Sequence, residues 1–252
     1  VLKENEWNTI NSILLKIYTI RDIDELAGKI MKMIRMLIPY SKGYFMLFND
    51  EEIDRERSSF IEMDEKNGKR YLDYFYSVDY IQYIFDFMAE TITYRDTDIL
   101  EDDIRKQTEF YKDYLRPQNI PYGSGIILFK RRKILGIINF FRSKELGDFS
   151  DKDIYILDIL KLHLANVVYG LGKVQEIEKM ERIEECLSRY HLSKREIEVV
   201  RLLILGLSNM EISKQMLISE STVKKHIYHI YSKAGVKSRT QLMALLQGQT
   251  VF

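Results

Sequence analysis

The chain has 252 residues, 46% of them apolar, and no net charge, which allows one large domain or two modest ones, provides for a sizeable core and sets disorder aside. Its single cysteine, Cys186, excludes an internal disulfide and fits a reducing compartment. The zero total hides an asymmetry: residues 189–252 carry ten Lys and Arg against four Glu, a net +6, which leaves −6 on residues 1–188. A basic tail on an acidic body points to a polyanion-binding module attached to something that avoids polyanions, so two domains are expected.

In chain order, "WNTINSILLKIYTI" (7–20) and "IDELAGKIMKMIRMLI" (23–38) repeat apolar residues at three and four positions and predict two helices, the second stopping at Pro39. "GYFMLFN" (43–49) and "RSSFIEM" (57–63) read as strands, and "YIQYIFDFMAE" (80–90) as an aromatic helix. "GSGIILF" (123–129) and "ILGIINFF" (134–141) flank "KRRK" and predict a hairpin with a charged tip. Those four cations also interrupt the longest apolar stretch, so no membrane span is expected. "VLKENEW" lacks a signal-peptide layout, and a soluble, cytoplasmic protein is the expectation. Antiparallel strands with helices at both ends predict an α+β domain over residues 1–172.

"FSDKDIYILDILKLHLANVVYGL" opens with Ser150 as N-cap, Asp153 three residues on, and Phe149 placed to pack on Ile154. The pattern continues through "GKVQEIEKMERIEECL" as one long helix or as two broken near Gly170 and Gly172. Its heptad spacing drifts at Glu178, which leaves a coiled-coil dimer and an ordinary packed helix both open. Residues 173–188 are read as a helical linker.

Residues 193–247 spell four short helices. Ser193 with Glu196, Ser208 with Glu211, and Ser238 with Gln241 each fit a capping box, and Leu192 with Ile197 and Leu207 with Ile212 fit hydrophobic staples. The turn "LIS" leads into "ESTVKKHIYHIYSKA", closed by Gly235. At 100° per residue, Val223, Ile227, Ile230 and Ala234 share one face with Tyr231 at its edge, while Ser221, Lys225, Tyr228 and Ser232 share the other with Lys224 alongside. A short helix, a tight turn and a helix with long polar side chains is the helix-turn-helix pattern, whose second helix enters the DNA major groove.

"LSKREIEVVRLLILGLSNMEISKQMLISESTVKKHIYHIYSKAGVKSRTQLMALL" resembles the LuxR-type helix-turn-helix domain of bacterial transcription regulators over residues 191–246, through L-[ST]-x-R-E-x-E-V, G-x-[ST]-N-x-E-I and S-x-x-T-V-K-x-H. The resemblance implies base contacts by Lys224, Lys225 and Tyr228, and phosphate contacts by Asn209, Ser221, Thr222, Lys237 and Arg239. It also implies an all-α four-helix domain over residues 189–252 and a homodimer on a pseudo-palindromic operator, with Leu242, Leu245 and Leu246 of the last helix at the dimer surface. The family often has an aliphatic or small residue where Lys225 stands and Lys or Arg where Tyr228 stands, so the resemblance implies DNA binding without fixing the operator sequence.

Other chemistries are thinly supported. His226 and His229 have an i, i+3 spacing, but His226 falls at the edge of the apolar face and no Cys or third His is near, so no metal is expected. His163 reads as a structural histidine on its helix. Cys186 lacks a His and Asn pattern, "GLGK" (170–173) lacks phosphate-loop spacing and no G-x-S-x-G occurs, so neither an enzyme nor a cofactor is expected. A phospho-acceptor receiver domain is set aside because the chain starts with two helices.

"EFYKDYLRPQNI", the hairpin and F-S-x-x-D before the closing helix resemble GAF-like sensor domains over about residues 10–170. That resemblance implies an antiparallel sheet between helices, with room for a small-molecule effector. Tyr76, Tyr80, Tyr83, Phe87 and Tyr94 are candidates to line it, although tyrosines at helical spacing also serve as core. Quorum-sensing autoinducer receptors of the LuxR type are the alternative; they carry tryptophans and an aspartate around the pocket, and the sole tryptophan here is Trp7. A protein-interaction adaptor whose basic tail docks an acidic partner is the opposing class.

Overall fold

A computed structural model describes residues 2–49, 51–85 and 89–246. The chain divides into two compact units, Val1–Gly172 and Lys173–Phe252.

The first unit begins with helices α1 (Glu4–Ile17) and α2 (Ile23–Arg35), followed by strands β1 (Lys42–Asn49) and β2 (Glu52–Ile61). Helix α2 ends earlier than its apolar pattern because Ile38 precedes Pro39, whose ring disfavours helical backbone at the residue before it. Short helices α3 (Glu65–Asp73), α4 (Gln82–Phe85), α5 (Asp96–Ile99) and α6 (Asp102–Arg105) surround strand β3 (Ile92–Arg95), and a π-helical turn Phe110–Leu115 leads to β4 (Tyr122–Lys130) and β5 (Lys133–Arg142). The sheet order is β2-β1-β5-β4-β3, and every pairing is antiparallel. The expected α+β architecture is therefore present. The expected helix over 80–90 is reduced to Gln82–Phe85, and β3 is an addition to the strands read from the sequence.

Both faces of the sheet are covered, which explains why β1, β4 and β5 read as continuous apolar runs. On the first face Phe45, Leu47, Ile126, Leu128, Ile138 and Phe140 pack with α1, α2 and the long helix α7 (Asp151–Ser188). On the second face Tyr44, Met46, Ile127, Ile137 and Phe141 meet a layer built from Tyr71, Phe75, Tyr80, Phe110 and Tyr114. Edge strand β2 keeps Arg55, Glu56 and Arg57 exposed, charges that discourage further strand pairing.

Helix α7 is continuous through Gly170 and Gly172. Its start matches the expected cap: Asp153 N donates to Ser150 Oγ (3.3 Å) and Ser150 N donates to Asp153 Oδ2 (2.8 Å). Arg142 adds a clamp, donating to Asp153 Oδ2 (3.0 Å), Asp148 O (3.0 Å) and Pro39 O (2.7 Å). By length and composition alone the stretch Asp151–Gln175 could cross a membrane, a stretch that the reading from the sequence did not single out. Its Ile156, Leu157, Leu160, Leu164, Val168 and Leu171 nevertheless belong to the first core.

In the second unit, α8 (Lys194–Ile204), α9 (Asn209–Met216), α10 (Glu220–Ala234) and α11 (Arg239–Leu246) enclose a core of Val199, Val200, Leu203, Ile212, Val223 and Ile230. This all-α unit is the architecture expected of the tail. Ile183 and Leu187, from the stretch read as a linker, are buried in the same core. The Cys186 side chain and Phe87 lie outside the described residues.

Candidate nucleic-acid interface

Each helix of the tail is punctuated by its own residues. Ser193 with Glu196 and Ser208 with Glu211 form reciprocal capping boxes. At α11 the pattern shifts by one residue: Gln241 N donates to Ser238 Oγ (3.1 Å), and Gln241 Oε1 accepts from Lys237 N (2.7 Å). Three helices close in the same manner, with a left-handed residue followed by an amide that reaches back five positions: Gly206 with Leu207 N to Leu202 O, Leu217 with Ile218 N to Ser213 O, and Gly235 with Val236 N to Tyr231 O. Glycine fills two of these positions. At the third, between α9 and α10, stands Leu217 with φ 55°, 91% exposed.

That turn delivers α10. Ser219 caps it by accepting from Thr222 N (3.1 Å), and its hydroxyl also meets those of Ser221 and Thr222 (2.8 Å each). A cluster of three hydroxyls thus stands at the positive end of a helix dipole, a chemistry suited to a phosphate. Beyond it Lys225 is exposed, Tyr228 is 71% exposed, and Lys224 is exposed with its Nζ 3.0 Å from Glu220 Oε1. Val223 and Ile230 are buried opposite them, and His226 is half-buried while His229 is exposed, the division given by the helical wheel. Lys224, Lys225 and Tyr228 therefore share one open face of one helix. Asn209 is half-buried at the first turn of α9, and Lys237 is exposed before α11.

Four residues assigned from the resemblance have internal work. Arg239 donates to Leu207 O (2.8 Å) and Leu203 O (2.6 Å), tying α11 to the end of α8 and the turn into α9. Leu242 and Leu246 are buried in the tail's own core, and Leu245 is half-buried beside it. Thr240 is exposed on the same helix. One internal ion pair was missed by the sequence reading: buried Glu196 accepts from Lys233 Nζ (2.7 Å) and from Ser193 N (2.6 Å), joining α8 to α10. Burial pushes the Glu196 carboxyl up, but the Lys233 and Ser193 hydrogen bonds outweigh it and hold the carboxyl at about 2.

The first unit hides its polar chemistry on the second face of the sheet. Tyr44 OH lies 2.6 Å from Tyr71 OH, which donates to Asp79 Oδ2 (2.6 Å), while Asp79 Oδ1 accepts from Ile81 N (3.2 Å). Tyr94 OH donates to Asn139 Oδ1 (2.9 Å). Asp96 lies over β4 at Gly123, where a Cβ would run into its carboxylate; at Gly125 a Cβ would meet Ile138 O and the Tyr94 hydroxyl. Burial pushes Asp79 up to about 7 against the Tyr71 hydrogen bond that lowers it, and burial followed by the Asp79 charge pushes Asp96 well above the carboxylate range. Arg105, fully buried, spends its guanidinium on Asp102 and on Pro121 O. Of the aromatics proposed from the sequence, Tyr80 and Tyr94 are buried here, Tyr76 is half-buried and Tyr83 is 58% exposed. Asp79, Asp96 and Asn139 escaped notice because a lone polar residue in an apolar run leaves no periodic signal.

Residues 190–246 match the family of "Bacterial regulatory proteins, luxR family". The tail is thus a LuxR-family helix-turn-helix domain, and the family is one of regulators rather than enzymes. The CsgBAC operon transcriptional regulatory protein of Escherichia coli is 45% identical over 53 residues, 21% of this chain and 24% of that protein. The chain therefore spans about a quarter of that relative's length. The monoamine regulon transcriptional regulator of Klebsiella aerogenes is 22% identical over 225 residues, 88% of this chain and 90% of that protein. Among solved structures, the VqsR LBD domain from Pseudomonas aeruginosa superimposes with a TM-score of 0.51 at 15% identity, covering 65% of this chain and 96% of that one. The first unit shares that fold.

Proposed function

We propose that the protein is a bacterial, cytoplasmic, sequence-specific DNA-binding transcription regulator that acts as a homodimer on a pseudo-palindromic operator. The observation that carries this reading is the open face of α10, with Lys224, Lys225 and Tyr228 together behind a hydroxyl-lined N-terminus, in a domain of the LuxR family. Lys224 and Lys225 donate to guanine O6 and N7 in the major groove, and Tyr228 contacts a base edge. Ser221, Thr222, Asn209 and Lys237 hold phosphates. Arg239 contributes chiefly by fixing α11, given its two carbonyl partners. Selection of the full chain against random duplex DNA tests the reading: a regulator enriches a two-fold-related motif, whereas a protein-interaction adaptor enriches none.

The first unit, in this reading, senses a small-molecule effector through the second face of its sheet. Support comes from buried polar groups set among aromatic rings, Asp79, Asn139 and Tyr71 among them, and from the fold shared with the VqsR LBD domain. Mass spectrometry of small molecules that co-purify with the intact chain checks this role. A clean result together with an unchanged DNA-binding isotherm in cell extract would leave the unit a dimerisation domain only.

A further inference from the structure

The helix layer over the first face of the sheet is apolar on its outside as well as on its inside. In α1, Ile10, Ile13 and Ile17 are buried, while Trp7, Leu15 and the capping residue Tyr18 are exposed on the other side of the helix. In α7, Ile156, Leu157, Leu160 and Leu164 are buried, while Tyr155 and Leu162, two turns apart, are exposed with half-buried Ile159 between them. The two helices run side by side in the same direction: Lys152 Nζ donates to Glu6 Oε1 (2.8 Å) near their starts, and Tyr18 OH lies 3.0 Å from His163 Nδ1 at the far end of α1. The outward stripes therefore adjoin, within the first unit alone. Ten large apolar side chains are exposed among the described residues of that unit; five of them gather on this surface, and the other five stand singly on separate segments.

Size, composition and charge decide what covers such a surface. Each of the five side chains is between 45% and 66% exposed, which on groups of about 150–250 Å² leaves roughly 500 Å² open, against about 800 Å² per partner in a stable interface. The exposed Glu4, Asn8 and Asn11, among and beside them, add the polar part that such an interface carries. Three of the five are Trp or Tyr, the residues that most often anchor an interface. The neighbouring acids are neutralised within the chain: Glu6 by Lys152 (2.8 Å), Asp151 by Arg95 (3.2 Å) and Asp158 by Lys161 (2.5 Å). A second copy can therefore approach without these acids repelling it, although residues 1–188 carry a net −6, whereas a different partner recruited by charge would find no field to follow. A two-fold reader of DNA also needs a contact between its copies, and Leu242 and Leu246 are already used inside the tail. We propose that the outward surface of α1 and α7 is the isologous contact through which two copies of this chain pair. This inference rests on the homodimer reading above and assigns its surface.

The test uses the full chain, whose single tryptophan, Trp7, lies in the proposed contact. Sedimentation should show a monomer–dimer equilibrium with a Kd of about 10 μM or tighter, and Trp7 emission should move to the blue as concentration rises through it. Leu15→Glu with Leu162→Glu places two charges at exposed helical positions that accept glutamate, so the melting temperature of a dilute sample should hold. The dimer Kd of that variant should rise at least about 30-fold, and Trp7 should keep its monomer emission. Tyr83→Glu, at a comparably exposed residue of α4 on the opposite layer, should leave both readings as in the parent. A parent still monomeric at about 100 μM would overturn the contact. So would a dimer that survives the double substitution with an unchanged Kd, which moves pairing elsewhere and leaves the homodimer reading intact. Equal weakening by Tyr83→Glu would overturn it as well, as an effect of added charge alone. A parent that is monomeric both free and on a selected DNA motif without a two-fold repeat would instead defeat the homodimer reading itself.

Discussion

The tail and the sensor unit treat polar chemistry in opposite ways. In the tail, the polar groups assigned to recognition, Lys225 and Tyr228 above all, stand in the open on one face of α10, while the buried pair Glu196–Lys233 only braces the frame. In the sensor, Tyr71, Asp79, Asp96 and Asn139 are enclosed by aromatic rings, and the surface carries ordinary charges. The difference teaches that charges kept solvated on one open face remain ready for a large charged partner, whereas polarity stored where water has been removed makes each hydrogen bond discriminate more.

Four substitutions sharpen or break this contrast. The largest effect is expected from Glu196→Ala, which removes the carboxylate half of the α8 capping box and strands Lys233, at a cost of about 2–3 kcal/mol in chemical unfolding followed by a tail-specific probe. The Glu196 carboxyl is held below its unfolded value, so its stabilisation is present above pH about 4.5 and is lost as pH falls toward about 2. A Glu196→Ala tail as stable as the parent would mean the brace is ornamental. Next, Lys225→Ala should cost about 1–3 kcal/mol in operator affinity and relax selection at one position. A uniform loss across all sequences would move Lys225 from base to phosphate.

Asp79→Asn probes the enclosed side. The folded-state pKa of Asp79 is raised from 3.8 to about 7, so its favourable contribution is complete below pH about 4 and declines as pH rises through about 7. The melting temperature of the first unit should fall over that window in the parent and fall less in the variant. Identical pH profiles would show that Asp79 is not the group that titrates. The smallest effect belongs to Leu217→Gly. Glycine at φ 55° removes the strain of a left-handed leucine and should stabilise the tail by about 0.5–1 kcal/mol, seen as a small rise in melting temperature with DNA affinity unchanged.

What could be read in the sequence follows the same division. The tail's helices were legible because Ser193, Ser208 and Gly235 act on neighbours three to five residues away, and such signals survive in the linear order. Strands β1, β4 and β5 were legible as apolar runs. Strand β3 was not, since "ITYR" is four residues long and its partner lies some thirty positions ahead. The burial of Leu242 and Leu246 was hidden too, because a helical stripe gives the same pattern whether it meets its own domain or a second copy. The bonds of Arg239 to Leu203 O in α8 and Leu207 O in the turn after it were likewise invisible, because nothing in the linear order brings residue 239 beside 203 and 207.

The repeated closure of the tail's helices has a consequence for how such chains arise. Gly206, Leu217 and Gly235, with the serine caps that follow or precede them, satisfy backbone groups at the ends of α8, α9 and α10 from within the same short segment. A fragment with such ends asks of its host little beyond the stretch of α7 that carries Ile183 and Leu187. Fusion to an unrelated partner then demands only a tolerable junction, and recombination can try many sensors against one reader without refolding either.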